Sequence, residues 1–507
     1  MSEIIVVGAG VGGLAAAVRL QALGHRVTVL EQADEIGGKL GVVEVDDFLF
    51  DTGPSLVTMP YVLEELFSDT GSPASEVLDL QRLAPAARYR FPDGTILDMP
   101  GRLDAIPDAL DAALGPGTGA QWAAFLARAE AIWDATHVPF LESPLGGPLD
   151  MLRMSARVKD LATIAPWQSL RGLGRQYLTD PRLLMLLDRY ATYTGSDPRH
   201  APAALATVPW AEQSMGSWYV RGGLTRIASA LRDRLESLGG SIETGAEVVE
   251  LTASSGRADG VILTNGTRRR ADIVVANADA REIYCRLLPS TLLRGATKRV
   301  ARQVSRTTRS LSGFVLLLAV DDPPDDVAHH HLLFAEDYDD EFDSVFGRAS
   351  RFGRRGSHPR PVPRPTIYIS APDDPAIVPE SGTAAWFVLV NAPPHDPTSG
   401  VDWTTPGLTE TYADTILEVM AERGVDVRSK IRHRILRSPA DLERLTMTPG
   451  GSIYGSSSNG ARAAFLRPAN RSPVPGLYLV GGSAHPGGGL PLVMLSGKIV
   501  AEMIGQA

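Results

Sequence analysis

Ile4 to Val7 places four apolar residues in a row, without the alternation of a half-exposed strand. A β-branched run of this kind predicts a strand buried on both faces, as inside a parallel sheet. Gly8-Ala9-Gly10-Val11-Gly12-Gly13 follows at once, and Leu14, Val18 and Leu23 then lie on a helical face that Gly24 closes. A second apolar strand, Val27 to Leu30, ends in Glu31, so the first thirty residues predict a βαβ unit. Later, a helical stretch from Leu224 to Leu238 leads to the strand-like Glu247 to Leu251 and a strand pair, Gly260 to Leu263 and Asp272 to Ala276. Leu311 to Val320 is the longest nearly uncharged apolar run. At about ten residues it falls short of the roughly 20 that span a bilayer, and it predicts a buried strand. At the far end, Gly476 to Val480 predicts a strand, Gly481 to Pro491 a glycine-dense turn, and the residues through Lys498 a helix.

The opening unit has the residue types that a dinucleotide requires. Gly8 makes the tight turn, Gly10 lets backbone approach a pyrophosphate, and Gly13 allows the helix to pack closely on the strand. The helix N-terminus faces the anion, and Glu31 stands where a carboxylate accepts the hydroxyls of an adenosine ribose. The tail repeats the design, a strand and glycine turn leading into a helix, which suits a flavin.

Composition narrows the partners. A formal charge of -10 argues against nucleic acid, which needs a basic face. Cys285 is the only cysteine, which excludes an intramolecular disulfide and a thiolate zinc site and fits a reducing, cytoplasmic setting. Met1-Ser2-Glu3 leads straight into the first strand without the basic region of a secretory signal. His329-His330-His331 could put two imidazoles on one strand face, but with no nearby cysteine and only loosely spaced acids no metal is expected. Arg348 to Arg364 holds six arginines among prolines and reads as an exposed loop.

Several motifs carry a family likeness. Gly37-Gly38-Lys39, Asp51-Thr52-Gly53-Pro54-Ser55, Trp218 to Leu224, Gly451 to Gly455 and the tail Gly481-Gly482-Ser483-Ala484-His485-Pro486-Gly487-Gly488-Gly489-Leu490-Pro491 resemble, in order, those of the carotenoid (phytoene-type) desaturases. Arg189 to Pro198 looks more like the 1-hydroxycarotenoid 3,4-desaturase branch. The likeness spans nearly the whole chain. It implies an α/β architecture: a Rossmann-type FAD-binding domain of the amine-oxidase and phytoene-desaturase kind, a mixed-sheet substrate domain and a helical lid. The expected division is FAD-binding domain at 1–94, 211–299 and 441–507, helical lid and membrane or substrate insert at 95–210, and substrate domain at 300–440. FAD is the implied cofactor, with Gly8, Gly10, Gly13, Glu31, Gly38, Lys39, Gly53, Pro54, Ser55, Val248, Gly482, Leu490, Pro491 and Val493 as its binding residues. Lys39 would supply counter-charge to the diphosphate. Val248 would meet the adenine through its backbone, although a plain core strand explains its side chain equally well.

The implied reaction removes a hydride and a proton from neighbouring carbons of a carotenoid or similar isoprenoid polyene, with flavin taking the hydride. His485, Glu212 and Tyr219 are the candidate proton acceptors, and quinone or oxygen is the expected terminal electron acceptor. A polyene isomerase or saturase, or a non-redox prenyl-lipid binding protein of similar fold, is the alternative. The residues Arg153, Arg157, Lys159, Arg171, Arg175, Arg182 and Arg189, set among Leu, Trp and Tyr, suit a peripheral contact with anionic lipid headgroups. An ordinary solvated helical face accounts for the same residues.

Overall fold

The computed structural model describes residues 1–145, 162–348, 356–460 and 467–507. Glu3–Val7 lies at the centre of a five-stranded parallel sheet, flanked by Ile273–Ala276 and Leu477–Leu479 on one side and by Arg26–Leu30 and Ser241–Glu243 on the other. The unbroken apolar run explains this position, because its alternate residues are buried on opposite faces. Ile4 and Val6 pack with the helices Val11–Ala22, Arg226–Ser237 and Leu490–Ile504. Ile5 and Val7 pack against a three-stranded meander that runs from Val248 to Arg270. Three separated stretches of chain thus build one sheet and bring both glycine turns to the same end of it.

A second sheet has seven strands in the order Ile431–Arg437, Ser312–Asp321, Thr383–Ala392, Ile367–Ser370, His330–Leu333, Ala87–Arg90 and Ile96–Met99. It is mixed, since His330–Leu333 runs parallel to Ala87–Arg90 and the other pairs are antiparallel. Ser312–Asp321 is the strand expected from the Leu311 to Val320 run, and the helix Leu408–Glu422 covers one face of it. The helices Ile106–Leu114, Thr118–Thr136, Pro181–Thr192 and Thr207–Met215 form their own core around Trp122, Phe125, Leu186 and Tyr190, which also takes in Leu332 and Phe334. Each fully buried Leu or Phe there contributes roughly 1.5–3 kcal/mol. The division expected at residue 94 falls inside the hairpin of Ala87–Arg90 and Ile96–Met99, a hairpin that belongs to the second sheet.

Among the described residues, no helix is long and apolar enough to cross a membrane, and no group of three or more His, Cys, Asp or Glu could hold a metal ion.

Candidate functional site

Gly8 leaves the central strand at a φ of +97°, where side chains are rarely tolerated, and its N–H donates to the Leu30 carbonyl at 2.8 Å. Helix Val11–Ala22 follows, with Gly10 two residues after Gly8 as its N-cap and no side chain capping it. Its first N–H groups are therefore left for a ligand. A Cβ at Gly10 would stand 2.8 Å from Asn277 Nδ2, and one at Gly12 3.1 Å from the Cα of Gly481. One at Gly13 would overlap the Gly8 carbonyl oxygen and lie 2.9 Å from Asn277 Cβ. The glycines clear backbone, and Asn277, at the end of the neighbouring strand, occupies the space between the first loop and the tail. Its amide donates to the Gly8 carbonyl at 3.3 Å. Asn277 was not among the expected site residues; its signal is a polar side chain at the carboxyl end of a parallel strand.

Glu31 is buried at the end of the second strand, where its carboxylate accepts from Ala9 N–H at 2.6 Å and Ala33 N–H at 3.0 Å. Val248 is buried close by, because Ala246 N–H donates to the Glu31 carbonyl at 2.7 Å and Gly245 N–H to that of Ala33 at 3.0 Å. Side-chain-free glycines, an uncapped helix start and a buried acid beside them fit a dinucleotide.

The second glycine pair folds onto the first, with Gly37 N–H donating to the Ala9 carbonyl at 2.9 Å and Gly38 at a φ of +61°. Gly53 packs so tightly on the Lys39 carbonyl that no Cβ would fit. Lys39 donates to the carbonyls of Ser452 and Ile453 at 2.9 and 2.7 Å. Burial lowers its pKa to about 8, and the Asp279 carboxylate works in the opposite direction. In the tail, Arg467 is buried and donates to the carbonyls of Gly482, Tyr454 and Ser456 at 2.5, 3.0 and 2.9 Å, tying the loop at 454–456 to the glycine turn. Gly489, at a φ of +109°, starts the last helix, in which Leu490 and Pro491 are buried and Val493 is partly buried. Pro54 and Ser55 are partly buried past Gly53. Ser55 Oγ is 2.5 Å from the Tyr368 hydroxyl, which is 2.8 Å from His330 Nδ1. His330 is fully buried, its Nε2 has no partner, and burial holds its pKa well below the ordinary histidine value.

The three expected proton acceptors have separate partners. Both carboxylate oxygens of Glu212 already accept hydroxyls, Tyr190 at 2.9 Å and Tyr193 at 2.7 Å. Beside them the buried Arg189 donates to Tyr89 and Tyr193 at 3.2 and 2.6 Å and stacks over Tyr89, Tyr190 and Tyr193. Tyr193 thus bridges a buried cation and a buried anion, the pairing that makes such charges tolerable. Tyr219 donates to Asp374 at 3.0 Å, and burial followed by that carboxylate raises its pKa. His485 is fully buried, with Nε2 3.0 Å from the Ser143 carbonyl, the Phe140 ring edge-on to it, and Nδ1 without a partner. Burial lowers its pKa to about 4, so it is neutral at pH 7.

Among the described residues of the basic stretch expected to face lipid, Arg171, Arg182 and Arg189 are drawn into contacts within the protein. Arg171 is buried and bound to Asp188 and Asp339, Arg182 is held by Asp180 and Asp93, and Arg189 sits among tyrosines. Only Arg175 is exposed; Arg153, Arg157 and Lys159 lie outside the described residues. Asp180 and Asp188, inside the same stretch, supply two of the arginines' partners, and Asp93 and Asp339 come from elsewhere in the chain.

The model of the flavin containing amine oxidoreductases matches residues 11–350. The chain is 34% identical over 99% of its length and 98% of the relative to a 4,4'-diapolycopene oxygenase of a Methylomonas species. It is 33% identical to a hydroxyneurosporene desaturase of Rubrivivax gelatinosus, over 99% of this chain and 93% of the relative. To a 1-hydroxycarotenoid 3,4-desaturase of a Flavobacterium species it is 30% identical, over 99% of each. Among solved structures it resembles an oxidoreductase from Methanosarcina mazei, with a TM-score of 0.61 at 18% identity over 98% of this chain and 99% of the other. A redesigned putrescine oxidase gives a TM-score of 0.65 at 15% identity over 99% and 98%, a likeness of fold.

Proposed function

The chain belongs to the flavin-containing amine oxidoreductase family, in its carotenoid desaturase branch, and from that premise we propose that it introduces carbon–carbon double bonds into a carotenoid or similar isoprenoid polyene. The observation that carries this reading is the full-length similarity to relatives bearing desaturase names. FAD is the cofactor, and when bound it supplies the acceptor for a hydride leaving carbon. Gly8, Gly10 and Gly13 would admit its pyrophosphate, Glu31 its ribose, Val248 its adenine, and Gly482, Leu490, Pro491 and Val493 its ring. Gly38 and Gly53 would keep the segment before Pro54 close to the first loop, with Lys39 and Arg467 holding the loop at 452–456 over it.

The neighbouring carbon must also lose a proton. Glu212 and Tyr219 are occupied as hydrogen-bond partners, and His485 is clasped by the Ser143 carbonyl. The Ser55, Tyr368 and His330 chain supports another route, since it starts beside the Gly53 turn and ends on a neutral imidazole with an unpartnered nitrogen. A neutral imidazole is a competent base toward a carbon made acidic by adjacent positive charge. The rest of the protein's task is to orient the chain and exclude water.

The substrate's insolubility supports peripheral association with a membrane, and quinone or oxygen would reoxidise the cofactor. The test is product mass after incubation of the FAD-loaded protein with acyclic polyenes in vesicles, where desaturation removes two hydrogens. A second reading is favoured by one observation, the oxygenase name of the Methylomonas relative. Gain of an oxygen atom would establish it, whereas unchanged or increased hydrogen content would point to an isomerase or a saturase.

A further inference from the structure

No Asp or Glu occurs between Glu282 and Asp321, a stretch that contains the helix Gly295–Arg306. In that helix Val300, Ala301 and Val304 pack onto the core beneath the meander. Lys298, Arg299, Arg302 and Arg306, with Arg294 at the N-cap, are exposed, and among the described residues none of these five side chains has an ion pair or hydrogen bond. At 100° per residue their positions fall on one side of the helix, opposite Val300 and Val304. The face is unusual for this molecule, because its other arginines are mostly met by carboxylates. Arg268 pairs with Asp259, Arg269 with Glu243, Arg364 with Glu336 and Glu422, and Arg428 with Asp426. Five uncompensated cations within about 18 Å, on a chain of net charge -10, form a local field that the whole molecule does not have.

We propose that the outer face of the helix Gly295–Arg306 is the surface by which the protein docks on an anionic lipid bilayer. The occupant rests on the polyene reading, since such a substrate resides in lipid. The surface itself supports lipid over single-stranded nucleic acid: residues 291–310 contain no Phe, Tyr or Trp to stack bases. The apolar side of the helix is already used by the protein's own core, so contact is electrostatic and the helix does not insert. Each cation near the membrane surface should raise partitioning about fivefold, and the effect should fade as the Debye length shrinks.

The test is sedimentation of the FAD-loaded full-length protein with phosphatidylcholine vesicles, with and without about one-third phosphatidylglycerol. Binding is expected only to the anionic vesicles and should be released by salt. Lys298→Gln/Arg299→Gln/Arg302→Gln, which keeps good helix formers, should lower partitioning on the order of a hundredfold with unchanged circular dichroism. Arg268→Gln/Arg269→Gln, at paired arginines, should change it far less. Wild-type binding by the triple variant, equal binding to neutral vesicles, or retention on duplex DNA without vesicle binding would each overturn the proposal. Sedimentation needs no turnover, so a protein that binds vesicles through this helix but converts no polyene would overturn the catalytic reading alone.

Discussion

Gly13→Ala is the smallest change that tests how the nucleotide loop is built. The added Cβ would overlap the Gly8 carbonyl oxygen and lie 2.9 Å from Asn277 Cβ, the first contact being rigid backbone. Relief requires the helix Val11–Ala22 to move off the strand by about 1 Å, since carbon and oxygen need roughly 3.2 Å. The far side of that helix leaves no room, because a Cβ at Gly497 of the last helix would already stand 2.8 Å from the Ala16 nitrogen. Leu14, Ala15, Ala16, Ala17 and Val18 are fully buried between the two. Overpacking at such a site costs about 1–3 kcal/mol. The same displacement moves the N–H groups of the helix start, so FAD affinity should fall by at least about tenfold, equivalent to roughly 1.4 kcal/mol. Urea unfolding of the apoprotein reads the first effect, and flavin fluorescence titration reads the second. Wild-type stability together with wild-type FAD affinity would refute the close-packing argument. Lost stability with intact affinity would refute the link to the cofactor.

Other substitutions separate structural from chemical roles. Glu212→Gln leaves the buried Arg189 without its anion and should destabilise the fold by about 3–5 kcal/mol in thermal or urea melts, while turnover per folded molecule stays near wild type. A selective loss of turnover would return Glu212 to the chemistry. His330→Phe and Tyr368→Phe should each retain FAD and lower kcat by about 10²-fold, and unchanged kcat would remove the relay. Asp51 is raised to about 6, first by burial, against the N–H groups of Leu224 and Thr225, with Asp374 adding to the rise. Its raised folded pKa means the folded state holds the proton more tightly, so its stability contribution is full below about 4 and is lost as pH rises to about 6. Relative to Asp51→Asn, wild type should lose up to about 3 kcal/mol over that interval, and parallel stability curves would contradict the burial effect.

The first βαβ unit and the tail were legible because glycine, strand and helix signals there are local and each element is built from consecutive residues. Ser312–Asp321 was legible because a run buried on both faces has no polar interruption. The contacts that complete the site were not. Ser55 meets Tyr368 across 313 residues and Asn277 meets Gly8 across 269, separations at which no spacing rule operates. Arg189 read as surface charge because most arginines are, yet Glu212 and three tyrosines bring it inside. The basic helix Gly295–Arg306 is legible only through an absence, the lack of acids around it, whereas the basic stretch ending at Arg189 carries Asp180 and Asp188, which pair with its own arginines.

The most direct measurement is high-resolution mass analysis of the polyene recovered after the FAD-loaded protein has acted on it in vesicles, with the apoprotein as control. The expected result is a product lighter by two hydrogens for each double bond formed, absorbing at longer wavelength, and absent without FAD. A product heavier by oxygen or of unchanged mass would contradict desaturation, and conversion that does not depend on FAD would contradict the role of the cofactor.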